Sequence, residues 1–422
     1  MADNKDKKVL KSSIEREQSQ TCLNSAESEK IKDSKNLNVP HLRFPEFSGE
    51  WVETTLGKIS EITKGSGISK DQLSEQGSPC ILYGELYTKY KSEIINDVYS
   101  RTELDSSSLV KSKANDVIIP CSGETAIDIS TARCVPFDNI LLGGDLNIIR
   151  LKNYDGGFFA YQLNGTRKKD IARVAQGVSV VHLYGENLKQ IRVYHPNIEE
   201  QKKITRLLSL IDDRIATQNK VIEDLKKLKS AMTEKLYSNV KGTTYTYRQL
   251  FDVINERNKD NVYNNVLSAS QELGMIDRSD INIDIKFEQA SIVSYKIVRK
   301  GDYVVHLRSF QGGFAFSEKT GICSPAYTIL RPKDNLVFGY LSHYFTSKQF
   351  VKSLKLVTYG IRDGRSINVD EWLDMKVVIP EKQEQSHTLA TINSIECKLS
   401  NEHEICSRLI KQKSYLLRQM FI

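Results

Sequence analysis

The sequence contains no run of about 18 or more apolar residues and no pair of cysteines in the CxxC spacing. A membrane-spanning helix needs such a run, so we expect the protein neither to span nor to enter a membrane. The missing CxxC pair argues against a zinc site, and the odd number of 7 cysteines argues against a disulfide framework. The first residues, MADNKDKKVL, also lack the apolar core of a signal peptide. These absences predict a cytoplasmic protein with reduced thiols.

Motifs that mark catalytic or cofactor sites are missing as well. There is no GxGxxG after a predicted strand, no GxxxxGK[ST] phosphate loop, no HExxH pair and no GxSxG nucleophile turn. The 7 histidines have no cysteine or carboxylate partners at metal-ligand spacing, so we expect no metal site. The segment SPAY at 324–327 partly resembles the polar-Pro-Pro-aromatic motif of amino-methyltransferases. It lacks the second proline, and we interpret it as a turn at a strand end.

The composition is that of an ordinary folded protein. Apolar residues make up 39% of the 422 residues and charged residues 27%, which argues against a largely disordered chain. This length predicts about two or three domains. The net charge of +7 favours a polyanionic partner only weakly, because many basic proteins bind no nucleic acid.

An internal repeat is the most informative feature. Pro196 and the residues after it align without gaps with Pro380 and the residues after it, an offset of 184 residues. Shorter echoes precede both segments: TTLGKISEI matches YRQLFDVIN, NDVII at Asn115 matches GDYVV at Gly301, and IIRLK at 148–152 matches ILRPK at 329–333. The chain is therefore predicted to contain two copies of one unit, each an α/β (α+β) globule followed by a helix.

The repeat sets the predicted domain boundaries. We expect a polar, mobile tail at 1–38, a first globule at 39–195, a central helix at 196–240, a second globule at 241–379 and a distal helix at 380–422.

Both helices carry an apolar stripe with alternating steps of four and three residues. Such a stripe commonly packs a helix on its own domain, but the central helix runs without Pro or Gly from Glu199 to Tyr237, roughly 58 Å at 1.5 Å per residue. We therefore expect the two long helices to pack on each other as an antiparallel coiled coil. The expected packing residues are Ile204, Leu208, Ile211, Ile215, Ile222, Leu225, Met232 and Leu236 in the first helix and Ile392, Ile395, Leu399, Cys406, Leu409, Leu416 and Met420 in the second.

Polar interruptions of the stripes predict a register. Antiparallel pairing of Lys229 with Glu402 and of Gln218 with Lys413 matches each interruption with a polar partner. A shift of one heptad would place Lys229 against Ile395, where an unpaired charge faces an apolar side chain.

Loops in both globules indicate nucleic-acid binding. Basic residues lead into a loop of glycine and short polar residues at 176–179, and polar glycine-containing loops occur at 306–313 and 358–366. Arginine and lysine neutralise phosphates, and arginine and glutamine form paired hydrogen bonds with base edges. One such loop is usually only a loop, so the argument rests on its repetition at matched places. The expected DNA-binding residues are Lys64, Ser66, Arg133, Arg167, Lys168, Lys169, Arg173, Gln176, Ser179, Arg308, Gln311, Tyr359, Arg362, Arg365 and Ser366.

The helical segments resemble the conserved regions of Type I restriction specificity subunits, as does the leader LRFPEFSGEW at 42–51. The resemblance is carried by Pro196, Glu200, Gln201, Ile204, Leu208, Ile211, Asp212 and Ile215, which recur less perfectly from Pro380. The second helix departs from the pattern at Thr388, where an aliphatic residue is expected, and at Glu396, where Asp is expected.

That resemblance implies two target recognition domains related by a pseudo-twofold axis, which read a bipartite double-stranded DNA target. It implies two methylation subunits docked along the helices, and restriction subunits in the full complex. S-adenosylmethionine, ATP and Mg²⁺ would be bound by those partners in a bacterial cytoplasm, and this chain would bind no cofactor.

The sequence therefore predicts a sequence-specific, non-catalytic DNA-binding specificity subunit. Two alternatives stay open. One is a nuclease or methyltransferase with an unrecognised catalytic site of its own, and the other is a coiled-coil scaffold without DNA contact.

Overall fold

The computed structural model describes residues 38–238, 240–270, 273–280, 289–306, 313–359 and 366–422. Apart from Asn38, the tail predicted to be mobile lies outside these residues. The chain divides into two compact units, unit 1 (Met1–Ala216 with Ser407–Ile422) and unit 2 (Thr217–Cys406). Two long helices contribute to both units, so the division differs from a simple alternation of globules and helices.

Unit 1 contains a mixed α/β globule. Its elements in chain order are β1 (Val52–Thr55), α1 (Leu56–Ile59), β2 (Ser60–Lys64), β3 (Leu73–Ser74), β4 (Ser78–Ile81), α2 (Glu85–Thr88), β5 (Ser100–Thr102), β6 (Asp116–Pro120), β7 (Ser122–Gly123), α3 (Ala126–Ile129), β8 (Arg133–Val135), β9 (Leu141–Leu142), β10 (Leu146–Leu151), α4 (Gly156–Asn164), α5 (Lys168–Val174), β11 (Val181–His182), α6 (Gly185–Lys189) and β12 (Arg192–His195), followed by the first long helix, α7 (Ile198–Ser238).

A four-stranded antiparallel sheet in the order β2-β10-β6-β8 forms the centre of this globule. Helix α4 is part of its core and is buried over most of its length because its residues are apolar on nearly every side. The Asp155 side chain caps its N-terminus by accepting a hydrogen bond from the amide of Phe158. Ile204 and Leu208 of α7 belong to the same apolar core, so the long helix is part of the globule's interior.

Unit 2 repeats this plan. Its globule consists of β13 (Thr243–Thr246), α8 (Tyr247–Leu250), β14 (Phe251–Ile254), β15 (Leu267–Ser270), β16 (Gly274–Asp277), β17 (Lys296–Val298), β18 (Tyr303–Val305), β19 (Phe314–Phe316), β20 (Gly321–Cys323), β21 (Thr328–Pro332), α9 (Tyr340–Tyr344), α10 (Lys348–Ser353), β22 (Thr358–Tyr359), β23 (Ser366–Ile367), α11 (Val369–Asp374) and β24 (Lys376–Ile379), followed by the second long helix, α12 (Lys382–Gln419). Its central sheet has the order β14-β21-β18-β19, which matches the order in unit 1 strand for strand.

The same side-chain contact occurs within each unit, at the aligned residues Gln201 and Gln385. The Gln201 amide donates to the carbonyl of Pro196 at 2.9 Å, and the Gln385 amide donates to the carbonyl of Pro380 at the same distance. Both glutamines are buried, and each also accepts a hydrogen bond from a backbone amide of its own globule, at Asp155 and at Val337. Each long helix is thus bound to its globule by a glutamine at the equivalent position of the repeat.

The shorter sequence echoes correspond to a repeated ion pair. Arg150 on β10 binds Asp116 on β6 at 2.7 Å, and Arg331 on β21 binds Asp302 beside β18 at 3.0 Å. In both units the aspartate is almost fully buried, and its arginine comes from the neighbouring strand.

Two positions near this ion pair are exchanged between the units. In unit 1, Asn115 packs so closely on Gly156 that a Cβ on this glycine would lie 2.3 Å from the Asn115 carbonyl oxygen. In unit 2, the glycine is Gly301, and the large residue is Phe338, whose ring lies 3.3 Å from the place of a Cβ on Gly301. Asn115 and Gly301 both have positive φ, 79° and 99°, so this backbone conformation is kept while the glycine stands on opposite sides of the contact in the two units.

The long helices run antiparallel within unit 2, as predicted, but in a different register. Lys229 binds Glu396 at 2.5 Å, and Gln218 bonds to Glu402. The predicted pairing of Lys229 with Glu402 is therefore wrong, as is that of Gln218 with Lys413. The slip costs little because Glu396 supplies the countercharge, and about a third of each side chain stays exposed, so Lys229 is neither unpaired nor dehydrated.

Within unit 1 the helices meet at a buried polar cluster. The Lys413 ammonium of α12 lies 2.6 Å from Asp212 of α7 and 2.5 Å from Glu93 of the globule. The Tyr161 hydroxyl of α4 donates to Asp212 at 2.7 Å. Lys413 thus has two carboxylate partners in place of the predicted Gln218. All the expected packing residues of both helices are buried or half-buried.

Candidate nucleic-acid interface

Four loops meet at one end of the central sheet of unit 1, and we call them loop cluster 1 (64–70, 121–125, 143–145 and 176–182). The amide of Ser66 donates to the carbonyl of Leu142 at 3.0 Å, and the amide of Cys121 donates to the carbonyl of Asp145 at 2.6 Å. The fourth loop joins through the pairing of β11 with β7. These contacts follow from the topology, because β2 and β6 end where β10 begins.

The hairpin at 176–182 is the part of loop cluster 1 that the sequence had singled out. Gln176 and His182 exchange two backbone hydrogen bonds of 2.9 and 2.7 Å, which close the hairpin. Gln176 and Ser179 are both exposed. Lys64 also belongs to loop cluster 1. Lys64 is exposed, and its positive charge opposes the rise of the Cys121 pKa to about 11 that burial of the thiol causes.

Ser66 belongs to the loop cluster but has an internal role. Its hydroxyl accepts a hydrogen bond from the amide of Val110 at 2.9 Å, so its position is fixed by the fold.

Two features at the loop-cluster end of this globule were not predicted from the sequence. The turn at 143–145 carries the exposed carboxylate of Asp145, and its signal was the GGD segment between two apolar runs. The second feature is a groove of about 960 Å³, whose lining includes Lys70, Tyr83, Tyr87 and Asp145. The lining of this groove shows that helix α2 lies near loop cluster 1, because it combines Tyr87 of α2 with Lys70 and Asp145 of the cluster.

Arg133 requires a correction. It was expected to contact DNA, but it is buried, and its guanidinium donates to the carbonyls of Ala132 at 3.1 Å and Tyr90 at 2.9 Å. Burial also lowers its pKa. An arginine enclosed in this way supports the fold and cannot reach a phosphate.

The basic stretch at 167–173 is only partly available. Arg167 is bound to the backbone carbonyl of Ile422 and to Asp170, and its guanidinium lies 5.2 Å from the centroid of the Tyr194 ring. Lys168 is half-buried, and burial lowers its pKa. Lys169 and Arg173 are exposed, although Arg173 pairs with Asp170 at 2.8 Å.

Unit 2 has loops at the same end of its sheet. The amide of His306, just after β18, donates to the carbonyl of Gly313, just before β19, at 2.8 Å. Residues 324–327 form the expected turn between β20 and β21. Strands β22 and β23 pair as a hairpin through Tyr359 and Ser366. The remaining expected residues, Arg308, Gln311, Arg362 and Arg365, lie outside the described residues.

The described ranges contain no cluster of three or more His, Cys, Asp or Glu side chains that could hold a metal ion. None of the helices in the described part of the chain combines the length and apolarity that a bilayer crossing requires.

Comparisons with known proteins agree with this geometry. Residues 48–227 match the family model of the Type I restriction modification DNA specificity domain. Two relatives come from Methanocaldococcus jannaschii. The MjaVIII specificity subunit is 25% identical over 201 residues, or 47% of this chain and 43% of the relative. The putative MjaX specificity subunit is 34% identical over 83 residues, or 19% of this chain and 20% of the relative. The chain is thus matched over less than half the length of these curated relatives.

Solved structures show the same fold over most of the chain. The S subunit of a Type I restriction-modification system from M. genitalium has a TM-score of 0.56 at 16% identity, and the match covers 91% of this chain and 99% of that one. A chain from a structure describing complex assembly and conformational transition of the type I R-M system has a TM-score of 0.57 at 14% identity, with 90% and 99% covered. Residues 48–227 thus match the Type I restriction modification DNA specificity domain, and the solved chains described above share the fold along nearly the whole length of this chain.

Proposed function

We propose that this protein is the DNA-reading specificity subunit of a Type I restriction-modification complex. Each unit reads one half of a bipartite double-stranded target, and methyl transfer and cleavage reside in other subunits. The observation that carries the proposal is the duplication of one globule, with the same strand order in the central sheet of both copies.

The chemistry of loop cluster 1 suits a duplex. Backbone and short polar side chains at Gln176 and Ser179 offer hydrogen bonds to base edges, and the Lys64 ammonium offers a countercharge to a phosphate. The loops differ in sequence between the copies, while the sheet that supports them keeps the same strand order. Such a division between constant support and variable loops is what a bipartite reader needs.

The long helices offer surfaces for partner subunits. Large apolar side chains remain exposed on them, namely Leu210, Ile410 and Tyr415 in unit 1 and Val221, Leu228 and Ile405 in unit 2. Exposed apolar residues along a helix favour a protein partner over solvent. We propose that two methylation subunits dock there in the bacterial cytoplasm, that restriction subunits complete the complex, and that S-adenosylmethionine, ATP and Mg²⁺ are bound by those partners.

Methylome sequencing tests the proposal. The full chain is expressed together with the methylation subunits, and methylated adenines are mapped by single-molecule sequencing. We expect one bipartite motif that disappears when this chain is left out. Methylation of the same motif without this chain would contradict the proposal.

The purified chain alone distinguishes the rival enzyme function. We expect neither methyl transfer from S-adenosylmethionine nor cleavage in the presence of Mg²⁺. Either activity in the isolated chain, retained through purification to homogeneity, would establish a catalytic site within it and overturn the non-catalytic assignment.

A further inference from the structure

The hairpin at 176–182 has a rigid stalk. Val181 and Leu183 are buried, and the amide of Leu183 donates to the carbonyl of Cys121 at 2.7 Å. Strand β11 pairs with β7, which fastens the stalk to the central sheet region. The turn is also tight, because Gly177 has φ of 121° and a Cβ there would lie 2.1 Å from the Val180 carbonyl oxygen. Only glycine fits this position, so the conformation of the tip is set by the backbone.

An apolar side chain stands at the tip of this stalk. Val178 is 97% exposed, and Val180 is 53% exposed. Single exposed valines are common on protein surfaces, so exposure alone indicates nothing. Three features distinguish Val178: it lies on a clamped turn, it is flanked by the polar Gln176 and Ser179, and it belongs to loop cluster 1. A β-branched side chain also has few rotamers, so its methyl groups hold a defined position.

The major groove of DNA offers one apolar feature to such a side chain. It admits a two-stranded β-ribbon, and among the four bases only thymine presents a methyl group there. The polar neighbours of Val178 suit the donors and acceptors that surround that methyl group. A protein surface as the target would call for a broader apolar patch, whereas this tip alternates apolar and polar residues over a few positions.

We propose that Val178 reads the C5-methyl group of a thymine in the half-site bound by unit 1. The inference rests on the proposed function and deepens it, because it assigns a base and an atom to one side chain. The Val178 methyl groups pack against the thymine methyl group, and Gln176 and Ser179 bond to neighbouring base edges.

The test replaces single thymines by uracil, which removes only the methyl group. The assembled complex with its methylation subunits is titrated with duplexes of the mapped motif, each carrying uracil at one thymine position of the unit 1 half-site. We expect one position at which uracil weakens binding of the wild-type complex about fourfold, the effect of one buried methyl group. Val178→Ala should bind the thymine duplex about fourfold more weakly and no longer distinguish thymine from uracil at that position.

Val52→Ala is the matched control, because Val52 is another exposed valine of unit 1, on β1, which pairs with β12 and belongs to none of the four loops of loop cluster 1. This variant should keep the full difference between thymine and uracil. Val178 is exposed, so its replacement should leave the thermal unfolding midpoint unchanged, and a lowered midpoint together with lost binding would contradict a direct contact.

The outcomes separate this inference from the proposed function. A complex that binds its motif tightly but tolerates uracil at every position overturns the role of Val178 and leaves the proposed function intact. If Val178→Ala keeps the full preference for thymine, the role of Val178 is likewise overturned. An equal loss of affinity for the thymine and the uracil duplex in this variant also overturns it. A complex that binds no specific duplex overturns both.

Discussion

Glu200 is fully buried in unit 1, and a single residue of the leader neutralises it. Arg43 donates two hydrogen bonds of 2.8 and 2.7 Å to its two carboxylate oxygens. The repeat partner of Glu200 is Glu384, which is exposed. The two glutamates occupy equivalent positions of the sequence repeat. Only Glu200 needs a countercharge, because only Glu200 is buried.

Replacing Arg43 should therefore destabilise the protein. We expect Arg43→Ala to lower the free energy of unfolding by about 3 kcal/mol, because it leaves the Glu200 carboxylate buried and unpaired. Glu384→Gln is the control and should change it by less than about 0.5 kcal/mol. Urea unfolding followed by circular dichroism measures both, and equal effects would contradict the role given to Arg43.

The buried cluster around Lys413 predicts a pH dependence. Burial, with the charge of Glu93 beside it, raises the pKa of Asp212 from the ordinary value to about 6. The folded state therefore holds a proton that the unfolded state releases near pH 4, so the stability that this proton contributes is lost as the pH rises through 6.

Asp212→Asn removes that titration. The unfolding free energy of the variant minus that of the wild type should rise by up to about 3 kcal/mol between pH 4 and pH 6. At higher pH this difference should stay constant. The exposed neighbour Asp213, replaced by Asn, is the control and should show no such gain. Parallel pH profiles for wild type and Asp212→Asn would show that the Asp212 carboxyl is not perturbed.

At the scale of elements, the pairing of the two helices offers a direct test of register. Lys229→Glu places a negative charge against Glu396, and the double variant Lys229→Glu with Glu396→Lys restores an ion pair. We expect the single change to cost up to about 1 kcal/mol, since the pair is partly exposed, and the double change to recover it. Rescue by Glu402→Lys in place of Glu396→Lys would support the register inferred from sequence.

The helices also show what periodicity can and cannot predict. The apolar stripe identified both helices and their antiparallel pairing, because spacing along one helix face is written in the sequence. The register depended on which polar residues face each other, and Gln218, Lys229 and Lys413 each had more than one possible partner. Lys413 was decided by Glu93, a residue of the globule about 320 positions away in sequence, which no heptad pattern contains.

The residues of the candidate site were also predictable only in part from the sequence. Gln176 and Ser179 were predicted from the composition of their loop, and they are exposed in loop cluster 1, while their contact with DNA stays a prediction. Arg133 was assigned wrongly because its chemistry suits DNA while its place in β8 buries it. Exposure depends on the packing of distant segments, so residue type alone does not predict it.

At the scale of the whole molecule, the duplication predicts that the two halves of the target are read independently. Gln176→Ala with Ser179→Ala should alter only one half of the methylated motif. Arg362→Ala with Arg365→Ala, which lie in sequence between β22 and β23, should alter only the other, at about 1 to 3 kcal/mol for each lost base contact. Methylome sequencing of each variant measures this, and loss of both halves in either variant would contradict independent reading.

The two copies differ in which residue of one close contact is the glycine. Gly156 lies against Asn115 in unit 1, and Gly301 lies against Phe338 in unit 2. This difference limits which single residues can be exchanged between the copies. A phenylalanine introduced alone at Gly156 would meet the backbone of Asn115, although the same residue is accommodated at the equivalent place in the other copy. The backbone of each copy is thus fitted to the residue that the copy itself carries at this place. Descendants of a duplicated gene in this state tolerate the exchange of whole globules better than the exchange of single residues.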